Sequence, residues 1–261
     1  MSESVYDDNF YKNRNSNTEY AAVKILGLVL ERLKRNMNSI VDVGCGVGTW
    51  LKIACTQYNF KTMVGLDGDY VPRQYLQIEE KCFMPTNLED YCVEKVIKCG
   101  NVTKFDIAIC LEVAEHIERR NARKFVHNLC RLSDIVVFSA AIPKQGGNAH
   151  INEQRLSYWV KLFEENNYQL YDLIRSEIWN DKNIPVWYRS NVVIFGNREI
   201  ENTLVNTKNV AAFMDVVHPD MFETKIKIYE RQIKDLQVNY NLKSLLKGEI
   251  CRIIERIKNF R

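Results

Sequence analysis

Residues 39–54 read SIVDVGCGVGTWLKIA. A short apolar run, Ile40–Val43, meets glycines at 44, 46 and 48, and an apolar stretch of helical spacing begins near Thr49. The reading is strand, glycine-rich turn, helix. Glycine adopts backbone angles closed to other residues and leaves room for a ligand against the main chain. In an open α/β sheet, ligands bind at the carboxyl ends of the strands, so the turn marks a binding site.

The surrounding chain supports that fold. Thr18–Asn36 has apolar residues at helical spacing and a basic end, and reads as a helix before the first strand. Further short apolar runs follow at Met63–Leu66, Cys82–Pro85, Phe105–Leu111, Ile135–Ala140, Tyr168–Ile178 and Asn191–Phe195, separated by amphipathic stretches. The alternation predicts a mostly parallel sheet with helices on both faces. The last two runs are joined by NDKNIPVWYRS, read as a loop, which predicts a closing antiparallel pair at one sheet edge.

The composition is that of a globular protein: 261 residues, 46% hydrophobic and 26% charged, with a formal net charge of +3. Ten Lys or Arg against six Asp or Glu between Asp220 and Arg261 leave the rest near −1. A nearly neutral body argues against nucleic acid as partner. The polar first twenty residues carry no signal-peptide pattern, and no apolar run has the length of a membrane span. Eight cysteines without a CxxC pair are expected to be reduced, buried thiols, and a cytoplasmic location is expected. The domain expectation is an N-terminal lid and helix (1–38), a central domain (39–198) and a C-terminal helical extension (199–261). In that extension Ile226, Tyr229, Ile233, Leu236 and Tyr240 recur every three or four residues. Leu245, Leu246, Ile250, Ile253, Ile254 and Ile257 continue the stripe, which Gly248 interrupts. It reads as a helical hairpin on its own domain or as a short coiled coil that makes a homodimer.

A second signal accompanies the glycine turn. VGLDGDY ends the next strand in Asp67, nineteen residues after Gly48, and an acid there can accept hydrogen bonds from a ribose diol. The paired motifs VDVGCGVGTW and GLDGDY resemble those of the class I S-adenosylmethionine (SAM)-dependent methyltransferases, over about Ile40 to Phe195. The resemblance implies a Rossmann-like seven-stranded sheet with an antiparallel last strand. It also implies that Asp42, Gly44, Cys45 and Gly46 lie under the methionine and ribose of SAM. Asp67 would then hold the ribose hydroxyls, and Gly68 would make room for adenine. Asn87 and Leu88 stand where the family often has Asp-Leu, so the Asn87 amide oxygen would meet the adenine amino group. Glu112 would face the methionine end. Tyr6, Phe10 and Tyr11 would belong to a lid.

CLEVAEHIERR follows the fourth apolar run. If it turns helical at once, Glu112, Glu115 and His116 share a face. His150 arrives after the fifth run, in KQGGNAHINEQ. Glu115, His116 and His150 are the candidate catalytic residues, and two chemistries stay open. One of the histidines takes the proton from a hydroxyl as it attacks the methyl group. Alternatively, Glu112, Glu115, His116 and His150 hold a divalent metal, a donor set that suits Mn²⁺, Fe²⁺ or Zn²⁺ better than Mg²⁺. A third, structural role is helix capping. Arg175 or Arg189 is a candidate partner for an anionic group on the acceptor.

LDGDYVP, LEVAEHI, HINEQ and VWYRSN together look like the O-methyltransferases of bacterial capsule and lipopolysaccharide clusters. That resemblance implies an acceptor oxygen on a sugar, a nucleotide-linked sugar or a capsule polysaccharide. The E-x-x-E-H pattern with a distant His is also similar to that of metal-dependent RNA 2′-O-methyltransferases. From another class, a non-catalytic SAM-binding scaffold remains an alternative.

Overall fold

A computed structural model describes residues 15–33, 36–197 and 214–258; the lid candidates Tyr6, Phe10 and Tyr11 lie outside them. The chain divides into two compact units, residues 1–216 and 217–261.

The first unit is built on seven strands: β1 (Ser39–Val43), β2 (Thr62–Asp67), β3 (Phe83–Pro85), β4 (Ile107–Leu111), β5 (Ile135–Ser139), β6 (Tyr168–Tyr171) and β7 (Val193–Asn197). Their order across the sheet is β3-β2-β1-β4-β5-β7-β6. All pairings are parallel except those of β7, which runs antiparallel to both β5 and β6. This is the expected sheet. β1, β4 and β5 are buried along their whole length, because helices cover both faces and every side chain of a central parallel strand meets apolar packing.

Alternate residues feed two cores. One face (Ile40, Ile107, Ile109, Val137) packs on α1 (Asn15–Arg32) and α2 (Thr49–Tyr58). The other (Val41, Ala108, Phe138, Phe195) packs on α3 (Val93–Gly100), α4 (Ala122–Leu132) and α5 (Leu156–Glu164). There the Phe163 and Phe195 rings stack at 3.7 Å, and Phe138 meets Phe163 edge-on at 5.4 Å.

Two short helices occupy the β6–β7 connection: α6 (Arg175–Ile178) falls in the apolar run Tyr168–Ile178, of which only Tyr168–Tyr171 is strand, and α7 (Val186–Asn191) covers the second half of the expected loop NDKNIPVWYRS. Pro185 precedes α7, which is only six residues long. So brief an element leaves no periodic signature.

The second unit is one helix, α8 (Pro219–Lys258), of 40 residues. It is neither a hairpin nor broken at Gly248. A glycine in a helix interior costs about 1 kcal/mol but does not by itself end the helix. Among the described residues no helix is long and apolar enough to cross a membrane. Cys45, Cys110 and Cys130 are buried as expected, while Cys55, Cys92 and Cys99 are exposed; all are free thiols.

Candidate active site

The sheet order reverses between β1 and β4, and a crevice opens there beyond their carboxyl ends, the topological switch point where open sheets bind ligands. It holds a cavity of about 490 Å³, the size of a nucleoside-containing ligand site. The glycine turn forms its floor. Gly44, Gly46 and Gly48 have φ of +88°, +52° and +83°, a region L side chains rarely adopt. Each has a different reason to lack a Cβ. At Gly44 it would lie 2.2 Å from Val113 and at Gly48 2.9 Å from Ile78, whereas at Gly46 it would meet nothing within 4 Å. Gly46 thus leaves backbone bare toward the cavity. The N–H groups of Gly44 and Cys45 hook the turn to the Leu66 carbonyl at 2.8 and 3.0 Å.

Three acids surround the turn. Asp67 accepts from the Gly46 N–H at 2.7 Å, the Gly68 N–H at 2.6 Å and the Tyr70 hydroxyl at 2.7 Å. Asp42 is buried, and its Oδ2 has no hydrogen-bond partner. Burial, then the charge of Asp67, pushes its carboxyl well above the usual range. Glu112, directly after β4, adopts φ +56°, a conformation that costs a non-glycine residue about 1–3 kcal/mol. It persists because it is held from several sides. Its N–H donates to the Ser139 carbonyl at 3.0 Å, and its carboxylate receives Gln145 Nε2 at 2.7 Å and Asn191 Nδ2 at 3.3 Å. Burial raises its carboxyl. Asp42, Gly44, Cys45, Gly46, Asp67, Gly68, Asn87, Leu88 and Glu112, the predicted cofactor residues, all line this one cavity. Bare glycine backbone, an orphaned buried acid oxygen and two further carboxylates fit a ligand that carries a ribose, an ammonium and a sulfonium. Thr18 of α1 and Trp187 and Tyr188 of α7 complete the wall.

The left-handed turn at Glu112 also changes the geometry of EVAEH. The chain continues as a 3₁₀ turn, Ala114–His116, not as an α-helix, so the predicted common helical face does not form. Glu115, His116 and His150 still come together, with one ligand atom from each lying within 4.8 Å of the others. Glu112 is outside this group. The two imidazole rings meet edge-on at 4.9 Å. His116 lines the cavity, whereas Glu115 and His150 do not.

His116 Nδ1 lies 3.2 Å from the Ala149 carbonyl. A carbonyl only accepts, so Nδ1 carries the hydrogen and the neutral ring keeps its lone pair on Nε2. His150 Nδ1 lies 3.0 Å from Glu153 Oε1, and the same logic leaves its Nε2 free, 3.9 Å from Glu115 Oε1. Burial alone would raise the Glu153 carboxyl, but the His150 bond and the Gly146 and Lys144 N–H groups outweigh it and hold it below the usual range. Glu153, Gln145 and Ser139 were not predicted. Arg175 and Arg189, offered as acceptor contacts, are buried and spent internally. Arg175 grips the Asp172 carboxylate through Nε at 2.9 Å and Nη2 at 2.6 Å, and Arg189 donates to the carbonyls of Ile184 and Trp179.

Glu115 is fully buried, and neither carboxylate oxygen has a well-formed hydrogen bond. Burial, reinforced by the charge of Glu112, pushes its carboxyl up from 4.5 to about 9. Between those two pH values the folded chain holds a proton that the unfolded chain has lost, so this group makes stability fall as pH rises, by at most about 1.4 kcal/mol per unit. Glu115→Gln is therefore expected to melt above the wild type at about pH 8 and to lose that advantage toward about pH 5. Melting curves of metal-free protein at both pH values check this; an equal offset at both would contradict it.

The profile of a family described as a methyltransferase domain matches residues 14–173. The chain belongs to that family and is a class I SAM-dependent methyltransferase. Similar solved folds include a magnesium protoporphyrin IX methyltransferase from Synechocystis PCC 6803 with bound S-adenosylhomocysteine (17% identity, 74% of this chain and 91% of that one, TM-score 0.51). The plantazolicin methyltransferase BpumL, in complex with a substrate analogue and the same cofactor product, aligns at 13% identity over 73% and 89%, TM-score 0.52. A methyltransferase in complex with the Haloferax volcanii Trm112 activator aligns at 11% identity over 75% and 96%, TM-score 0.53. At such identities the likeness is one of fold. No curated protein sequence matches the chain.

Proposed function

We propose that this methyltransferase acts on an oxygen of a small hydroxylated acceptor, a sugar, nucleotide-linked sugar or capsule substituent. The Glu115–His116–His150 cluster would prepare the hydroxyl. The observation that carries the reading is the convergence of two imidazoles and a buried carboxyl group, with one ligand atom from each within 4.8 Å of the others, beside the cofactor cavity. Nitrogen nucleophiles are usually electron-rich enough to attack SAM once neutral, whereas a hydroxyl needs its proton taken or its pKa lowered.

The donor set fits a divalent cation such as Mn²⁺, Fe²⁺ or Zn²⁺, with two imidazoles and one carboxylate. Each ligating histidine has its other nitrogen fixed by a carbonyl or carboxylate, the outer-shell arrangement that metal sites use. When bound, such an ion lowers the pKa of a coordinated hydroxyl. The chain's own residues supply the rest. Glu153 and the Ala149 carbonyl fix the two tautomers. Glu112, braced by Gln145 and Asn191, presents charge to the methionine ammonium. Trp187 and Tyr188 wall off water. With SAM bound, transfer would break its sulfonium S–CH₃ bond and form the acceptor O–CH₃ bond, releasing S-adenosylhomocysteine, and the hydroxyl proton would pass to His116 or to solvent.

A second reading makes His116 itself that base, and its place on the cavity wall favours it. Chelator separates the two. Under the metal reading, turnover stops in chelator and returns with added Mn²⁺; full turnover in chelator assigns the proton to His116.

A further inference from the structure

Residues 222–257 carry a pattern the methyltransferase unit does not use. From Phe222, steps of four and three residues alternate without a break through Ile226, Tyr229, Ile233, Leu236 and Tyr240 to position 257. Nine of the eleven positions so reached are apolar; lysine occupies 243 and 247. On α8 the seam residues Phe222, Ile226, Tyr229 and Ile250 are exposed, as are Ile233 at 54%, Leu236 at 68% and Tyr240 at 75%. A straight helix drifts about 20° per heptad against a strict seven-residue repeat, so over five heptads the seam turns through about 100°. A flat lipid surface or a rigid domain face would lose contact with it. A second helix that supercoils around it would not.

We infer that α8 pairs with α8 of a second copy of this chain as a two-stranded coiled coil. Length selects that occupant. A 40-residue helix spans about 60 Å. The next longest described helix has 18 residues, and its apolar face is already buried in the core. The seam from 222 to 257 is about 54 Å long and, at about 10 Å wide, offers roughly 540 Å² per partner, against the roughly 600–1,000 Å² of standard stable interfaces. The lysines are accommodated in an antiparallel pair, where each a position meets a d position and faces an apolar residue rather than its own copy. Gly248 falls on the outer face, where an added Cβ would meet nothing within 4 Å, so it does not interrupt the seam.

Sedimentation equilibrium of the full chain tests this. The wild type is expected at twice 30.6 kDa, and Ile233→Glu with Leu236→Glu at the single-chain mass with SAM affinity unchanged, which shows that the first unit has folded. Val238→Glu, exposed but off the seam, is expected to stay dimeric. A wild type that is monomeric at every concentration, or a double variant that remains a dimer, overturns the inference. So does a monomeric wild type whose helix binds anionic vesicles, which would make the partner a membrane surface.

Discussion

Asp67→Ala is expected to weaken SAM binding by about two to three orders of magnitude. The carboxylate does two things at once. It gathers the N–H groups of Gly46 and Gly68, which sets the curvature of the floor, and its remaining acceptor capacity is offered to the ribose diol. A hydrogen bond to a charged group contributes about 1.5–3 kcal/mol, and each 1.4 kcal/mol is tenfold. Losing one such bond to the ligand, together with the turn geometry that the Gly46 and Gly68 bonds hold, accounts for the expected range. Asp67→Asn keeps one acceptor oxygen and is expected to lose less, about one order of magnitude. Calorimetric titration with SAM and with S-adenosylhomocysteine gives both values. An Asp67→Ala protein that binds within threefold of wild type would remove Asp67 from the cofactor site.

His150→Ala is expected to lower turnover by about three orders of magnitude or more while SAM affinity stays unchanged. His150 is off the cavity wall, so SAM affinity is expected to hold. Its loss removes one of the three converging donors and leaves Glu115 buried with one partner fewer. Glu153→Gln is the milder companion. It retains an oxygen acceptor for His150 Nδ1 but removes the charge, and a loss of about 10–100-fold is expected, as for other outer-shell partners. Single-turnover rates and SAM titrations on the same preparations separate chemistry from binding. Wild-type turnover in His150→Ala would sink the assignment of the cluster.

The sheet and its glycine turn were legible because both are consequences of local stereochemistry. Val43 to Thr49 can only turn that tightly with residues that accept positive φ. Central strands buried on two faces read as unbroken apolar runs. The acids of the cavity were legible because each lies at or next to the carboxyl end of a strand. The supports of the site were not. Asn191 reaches Glu112 across 79 residues of sequence and Gln145 across 33, and no local pattern announces such a contact. The helix expected at EVAEH failed because Glu112 is left-handed, a state imposed by its three-sided anchoring rather than by its own propensity. Arg175 and Arg189 misled for a related reason. Arginine is normally exposed, and only the fold brings the carbonyls and the Asp172 carboxylate that let both be buried.

The central claim is methyl transfer to an oxygen at this cavity. The direct test is to incubate the purified, Mn²⁺-supplemented protein and SAM bearing a deuterated methyl group with a small-metabolite fraction, and with RNA in parallel. Mass spectrometry then locates the label. The account predicts the label as a methyl ether or ester on an oxygen of a sugar-containing metabolite, with one S-adenosylhomocysteine formed per label. Label on nitrogen or carbon, label in RNA alone, or tight SAM binding with no transfer would contradict it.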